Sequence, residues 1–202
     1  EYSREFIEEL GKYLKSNAKK KGYRARSAYK LLEIDKKFNI IENSKNIVDL
    51  GAAPGSWSQV IIEKNKKKSK IKIFAIDVKS IEPLQNVTII KNDIAAIIET
   101  NIYFEKKSID LVLSDMAPKS TGHRFTDQAK AVNLSELALS FSLKYLSPNG
   151  TFVCKLLGGN HDNILINKAK KKFNVVQLFK PKSSKSSSKE IYLISKGFNN
   201  LQ

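Results

Sequence analysis

At 202 residues with 41% apolar content, the chain can bury one sizeable core, and a single domain over residues 1–202 is expected. Cys154 is the one cysteine, which excludes an intrachain disulfide and a thiol-rich zinc site. No apolar run approaches the roughly 20 residues that span a bilayer. The expectation is an intracellular, reducing compartment, the cytoplasm first with a mitochondrion or other organelle as the alternative. Thirty-six Lys and Arg against 20 Asp and Glu leave a formal charge of +16, which favours a polyanion, nucleic acid above all, over a merely compositional Lys bias.

The first 45 residues read as a basic helical region. Helical patterning covers residues 2–14 and 25–38, and the intervening "KSNAKKKGYRAR" carries most of its charge. From residue 46 to 197, short β-branched runs alternate with helical segments. The candidate strands are "NIVDL" (46–50), "IKIFAID" (71–77), "NVTII" (86–90), "IDLVLSD" (109–115), "GTFVCKL" (150–156), "NVVQLF" (174–179) and "EIYLIS" (190–195). Residues 56–63, 128–146 and 160–172 have helical spacing, with Leu134, Leu137, Ala138 and Phe141 as the clearest stripe. Such alternation predicts an α/β sandwich, a mostly parallel sheet with helices on both faces. "KPKSSKSSSK" (180–189) is too irregular for a crossover helix, so the last strand is expected to run antiparallel.

In a doubly wound sheet, ligands lie beyond the carboxyl ends of the strands. Asp49, Asp77, Asp93, Asp115 and Lys155 all fall at such ends. Any single Asp there is unremarkable, because Asp often closes a strand into a turn; the repetition is the signal. The turn "DLGAAPGSW" (49–57) lacks both the G-x-G-x-x-G pattern and the Lys-Ser/Thr of a P-loop, so a pyrophosphate or triphosphate ligand is poorly supported. Gly51 and Gly55 would let the backbone approach a less anionic nucleotide, with Asp49 supplying negative charge at the rim. Asp77 follows Gly55 at about the 20-residue spacing that suits hydrogen bonds to ribose hydroxyls, and Asp93 could accept from an adenine amino group. An adenosine with a positive charge and no phosphate fits this rim, and S-adenosylmethionine has those properties.

Five segments then carry a resemblance: "GYRARSAYKLLEID" (22–35), "IVDLGAAPGSWSQV" (47–60), "SDMAPKSTG" (114–122), "FVCKLLGG" (152–159) and "SSSKEIYLIS" (186–195). In this order they resemble the FtsJ-like (RrmJ-like) RNA ribose 2′-O-methyltransferases. The resemblance implies a Rossmann-like class I methyltransferase sandwich with a seven-stranded sheet and a catalytic tetrad at Lys30, Asp115, Lys155 and Glu190. It also implies S-adenosylmethionine contacts at Gly55, Trp57, Asp77, Asp93 and Asp115. Trp57 could equally be core. Lys155 has two readings, a general base or, with Lys30, a charged group that orients the hydroxyl.

The partner implied is RNA, whose 2′-hydroxyl DNA lacks. Lys12, Lys15, Lys19, Lys20, Lys21, Arg24 and Arg26 precede Lys30, and the Ser/Lys stretch precedes Glu190, so both basic stretches read as phosphate grips. Within the family, "KKKGYRARSAYKLLEIDKKF" is most similar to the bacterial and organellar enzymes acting on a uridine of large-subunit ribosomal RNA. The enzymes of the tRNA anticodon loop are the alternative, and Ser56 and Lys119 depart from the frequent Gly and Asn of the bacterial pattern. A monomer is expected. From other classes, a dinucleotide-dependent oxidoreductase and a non-catalytic RNA-binding assembly factor remain open. His123 and His161 lack metal-spaced partners, so no metal is expected.

Overall fold

The computed structural model describes residues 3–66, 70–159, 162–184 and 188–199. All seven predicted apolar runs become strands of one sheet because they supply side chains to both of its faces. Strands β1 (Asn46–Leu50), β2 (Lys72–Asp77), β3 (Val87–Lys91), β4 (Ile109–Ser114) and β5 (Leu146–Leu156) pair in parallel. Strand β7 (Ile191–Phe198) enters between β5 and β6 (Phe173–Phe179) and is antiparallel to both. The order is β3-β2-β1-β4-β5-β7-β6. The chain winds outward from β1 to β3 and returns to β4 on the other side of β1, which makes the carboxyl ends of β1 and β4 the switch point.

Two helical layers follow from the strand alternation. Val48, Leu50, Ile76 and Val112 point to one face and pack with Ile97, Ala138, Phe141, Tyr145 and Leu165, from α4 (Ile94–Thr100), α5 (Arg124–Tyr145) and α6 (Asp162–Lys170). Ile47, Ile73, Leu111, Leu113 and Val153 point to the other and pack with Leu31, Ile34, Trp57, Val60 and Ile61, from α2 (Ala28–Phe38) and α3 (Ser56–Lys64).

Three local expectations shift. The first helix, α1 (Arg4–Lys20), continues through the Lys-rich segment, since Lys and Ala favour a helix and cations in its last turn complement the dipole. It ends where Gly22 takes φ +76°. Helix α2 starts at Ala28, later than its pattern suggested. Helix α4 was not read from the sequence; it spans seven residues, too few to show periodicity, and is set by its caps. The Asp93 carboxylate accepts from Ala95 N–H, and Asn101 ends the helix in the left-handed region at φ 54°.

Asp35 fixes the exit from α2. Its Oδ1 accepts from the N–H groups of Ile40 at 3.1 Å and Ile41 at 3.0 Å, and Oδ2 lies 3.3 Å from Lys64 Nζ on α3. Because Asp35 is buried, removing the carboxylate strands two enclosed donors. Asp35→Ala is expected to lower stability by about 2–4 kcal/mol, read as a reduced denaturant midpoint, with Asp35→Asn losing less because its amide oxygen still accepts.

Candidate active site

The end of β4 and the start of β7 bring four charged side chains together around the last residues of β5. Lys155 Nζ donates to the main-chain oxygen of Asp115 at 2.8 Å and to its Oδ1 at 3.0 Å. Glu190 Oε2 lies 3.9 Å from Lys155 Nζ, and Oε1 lies 2.6 Å from Lys30 Nζ in the first turn of α2. The charges therefore alternate as Lys30, Glu190, Lys155 and Asp115. The Lys155 side chain is 7% exposed, so its ammonium depends on these carboxylates for what water would otherwise supply.

Sequence reasoning missed several of the supporting groups. Tyr192 faces Lys155 across the β5–β7 pairing and donates its O–H to Asp115 Oδ1 at 2.5 Å. Its position two residues beyond Glu190, on the same face of a strand, was the available signal. Ser184 Oγ donates to Glu190 Oε1 at 2.9 Å. Glu33, one turn along α2 from Lys30, accepts from the N–H groups of Lys182 and Ser183 at 2.6 and 2.9 Å and so ties the β6–β7 connection to the helix. Residues 185–187 of the Ser/Lys stretch, and His161, lie outside the described residues.

Burial pushes the Glu190 carboxyl up, but the hydrogen bond and charge of Lys30, with Lys155 and Ser184, outweigh it and hold the group below the ordinary glutamate value. Burial, and then the charges of Asp115 and Glu190, push the Tyr192 phenol well above its ordinary value. The shift favours the protonated phenol, which donates to Asp115.

A cavity of about 450 Å³ adjoins this quartet and shares Asp115 with it. Gly51, Ala53, Asp77, Asp93 and Met116 also line it. Asp77 holds two surrounding turns, accepting from Ala53 N–H at 2.9 Å through Oδ2 and from Lys79 N–H at 2.8 Å through Oδ1. Gly51 has φ +69°, and a Cβ there would sit 2.3 Å from Met116 Cγ, so a side chain would close the cavity between the β1 and β4 ends.

Three predicted cofactor positions lie elsewhere. Asp49 is buried at 1% exposure and is not at the rim; strand alternation turns it under the loop, where Ser58 Oγ donates to its Oδ2 at 2.8 Å. Trp57 packs in the core 5.8 Å from the Tyr192 ring and donates its indole N–H to Ser27 O at 2.9 Å. Gly55 does not face the cavity; its missing side chain leaves room for Arg24, Leu84 and Ile81.

The family model of the FtsJ-like methyltransferases matches residues 23–198. The chain belongs to this family. Among FtsJ-like relatives, the ribosomal RNA large subunit methyltransferase E of Anaplasma phagocytophilum is 44% identical over 188 residues, covering 91% of this chain and 75% of the relative. That of Wolbachia pipientis wMel is 44% identical over 182 residues, covering 89% and 91%. The crystal structure of a Plasmodium falciparum protein assigned as a ribosomal RNA methyltransferase superposes with a TM-score of 0.77 at 34% identity, covering 87% of this chain and 98% of that one. The sheet is thus the Rossmann-like class I methyltransferase sheet with its antiparallel strand β7, and the chain is an FtsJ-like methyltransferase.

The buried Asp49 of this FtsJ-like site has a titration signature. Burial, opposed by the Ser58 hydrogen bond and reinforced by the charges of Asp115 and Asp77, pushes its carboxyl up to about 7. A raised folded value means the fold favours the protonated acid, so Asp49 is least costly at acid pH and its penalty accrues from about pH 4 to about 7. Asp49→Asn is expected to raise the melting temperature at pH 8 and to flatten its pH dependence over that window. A variant less stable than the parent at pH 8 would show that the ionised form is wanted.

Proposed function

We propose that the protein transfers a methyl group from S-adenosylmethionine to a ribose 2′-hydroxyl of RNA, and that its RNA is large-subunit ribosomal RNA. The observation that carries this reading is Asp115, which belongs at once to the cavity wall and to the buried Lys/Glu/Lys/Asp chain. A donor held in the cavity would present its reactive carbon to a nucleophile held by the quartet, and such positioning supplies much of the rate of a displacement.

The cavity suits that donor. Its volume is within the range of small-molecule sites. Each Asp77 oxygen has one backbone donor and a lone pair to spare for ribose hydroxyls. The second oxygen of Asp93 remains beyond the one that caps α4, and the three carboxylates of the lining, Asp77, Asp93 and Asp115, outnumber its two lysines, Lys79 and Lys119, which favours a cation. S-adenosylmethionine supplies an electrophilic methyl group on a sulfonium, so the reaction forms an O–CH₃ bond and breaks an S–CH₃ bond.

The chain's own residues hold the nucleophile. Lys155, bonded twice to Asp115 and near Glu190, acts as an ammonium whose remaining donor capacity orients the 2′-oxygen; Lys30, held by Glu190, adds positive charge beside it. As the new C–O bond forms, the hydroxyl becomes acidic, and its proton passes to the Asp115 oxygen that Lys155 and Tyr192 leave unengaged. Lys12, Lys15, Lys19, Lys20 and Lys21 are all exposed on α1 or just beyond it, which supports phosphate contacts leading to Lys30. The names of the relatives support large-subunit ribosomal RNA as substrate.

Purified protein with methyl-tritiated S-adenosylmethionine should label large-subunit rRNA from cells lacking the protein, and the product should resist alkaline cleavage at one site. Label in tRNA alone would reject the substrate assignment. Lys155→Ala should cut the single-turnover rate by about 10²–10⁴-fold, the range for a group acting on the reacting atoms. With Lys155 as an orienting ammonium, the rate should be flat from about pH 6.5 to 9; a tenfold rise per pH unit would identify a general base instead.

A further inference from the structure

The basic segment before Lys30 does not act as one surface. Lys19, Lys20 and Lys21 are exposed, whereas the guanidinium of Arg24 is turned inward onto main-chain carbonyls. Its Nη1 donates to Pro54 O at 2.9 Å and to Glu82 O at 2.7 Å, and its Nη2 donates to Pro83 O at 3.0 Å. These acceptors belong to two different loops. One is the turn that contributes Gly51 and Ala53 to the cavity, and the other continues from Asp77, Val78 and Lys79, which line it beside that turn.

We propose that Arg24 is a positioning residue for the cofactor pocket, setting the separation of its two wall loops, and is not one of the RNA phosphate grips. This rests on the reading of that cavity as the S-adenosylmethionine site. A lysine has one nitrogen and could not span the three carbonyls, whereas a planar guanidinium presents five N–H groups in a fixed fork. The arginine is itself fixed: its main-chain N–H donates to Gln59 Oε1 at 2.8 Å, and Gln59 Nε2 donates to Gly22 O at 2.9 Å. Gly55 completes the arrangement. A Cβ at this residue, which has φ +108°, would lie 2.9 Å from Arg24 Nη1, so the glycine serves the approach of the arginine.

The role predicts a separation of cofactor affinity from RNA affinity. Binding of S-adenosylhomocysteine to the ligand-free chain, measured by calorimetry, should weaken about tenfold or more in Arg24→Gln, the equivalent of losing one to two well-placed hydrogen bonds. Arg24→Lys should recover part of the loss. The KM for S-adenosylmethionine should rise while kcat stays within about twofold, as expected when binding common to ground and transition states is lost. The salt slope of RNA binding should match the parent in both variants, whereas Lys20→Gln should lower it by about one and leave S-adenosylhomocysteine affinity unchanged.

Circular dichroism and melting curves identify a variant that does not fold, and Arg24→Lys then carries the test. Parental S-adenosylhomocysteine affinity in the Arg24 variants, or a salt slope reduced by about one, would overturn the assignment and return Arg24 to the RNA surface. A parent chain that binds no S-adenosylhomocysteine would instead remove the cofactor reading on which it rests.

Discussion

A lysine ammonium that is almost out of water at the end of a central strand needs anionic partners; Lys155 takes Asp115 from β4 and gains Glu190 because β7 is inserted antiparallel to β5. Desolvating a charge costs several kcal/mol unless fixed partners replace the lost hydration. The antiparallel direction places the entry to β7 beside the exit from β5, so Glu190 arrives next to Lys155 from one side while Asp115 arrives from β4 on the other. A parallel β7 would start at the opposite edge of the sheet, far from Lys155. Tyr192, paired with Lys155 in register, then binds the same Asp115 oxygen that Lys155 uses. The direction of one strand thus supports most of the site.

The helical side is joined to the sheet side by similar means. Glu33 ties α2 to the segment that precedes β7, and Ser184 of that segment bonds Glu190. Ser27 and Ser56 share a hydrogen bond of 2.7 Å where α2 and α3 begin, and Trp57 donates to Ser27 O. Arg24 extends the seam to the loops around the cavity. Residues 22–33 therefore connect the nucleophile side of the site with the electrophile side.

Legibility of the sequence divides along the range of the interactions. The β-branched runs state their own conformation, so the strands could be read to within a few residues, and the irregular 180–189 connection announced the antiparallel strand. The switch point followed from topology. Periodicity could not reveal α4, whose two caps define it, nor could net charge separate Lys20 from Arg24, each of which counts as one cation. Asp49, Gly55 and Trp57 belong to the motif that marks the loop, but they build it from beneath and behind. A motif identifies residues that must stay together; which of them faces the ligand is decided by strand alternation and packing.

Charge is also divided between the interior and the periphery. The formal charge of the chain is +16, yet the quartet of Lys30, Lys155, Asp115 and Glu190 is balanced, and Asp77 and Asp93 line the adjoining cavity. Lys79 and Lys119 line it too, so with Asp115 three carboxylates face two lysines there, whereas Lys12, Lys15, Lys19, Lys20 and Lys21 are exposed on or beside α1. On the proposed reading, this uneven distribution would let one chain attract a polyanion at α1 and a cation at the cavity. Exposed lysines act over about a Debye length, the range that phosphate contacts of the proposed RNA complex would use, while carboxylates beside low-dielectric walls act over a few ångströms, as the proposed sulfonium would require. Arg24 is a cation of the 19–26 segment whose side-chain hydrogen bonds reach the loops of the cavity wall, and the three carbonyl oxygens it bonds moderate its field there.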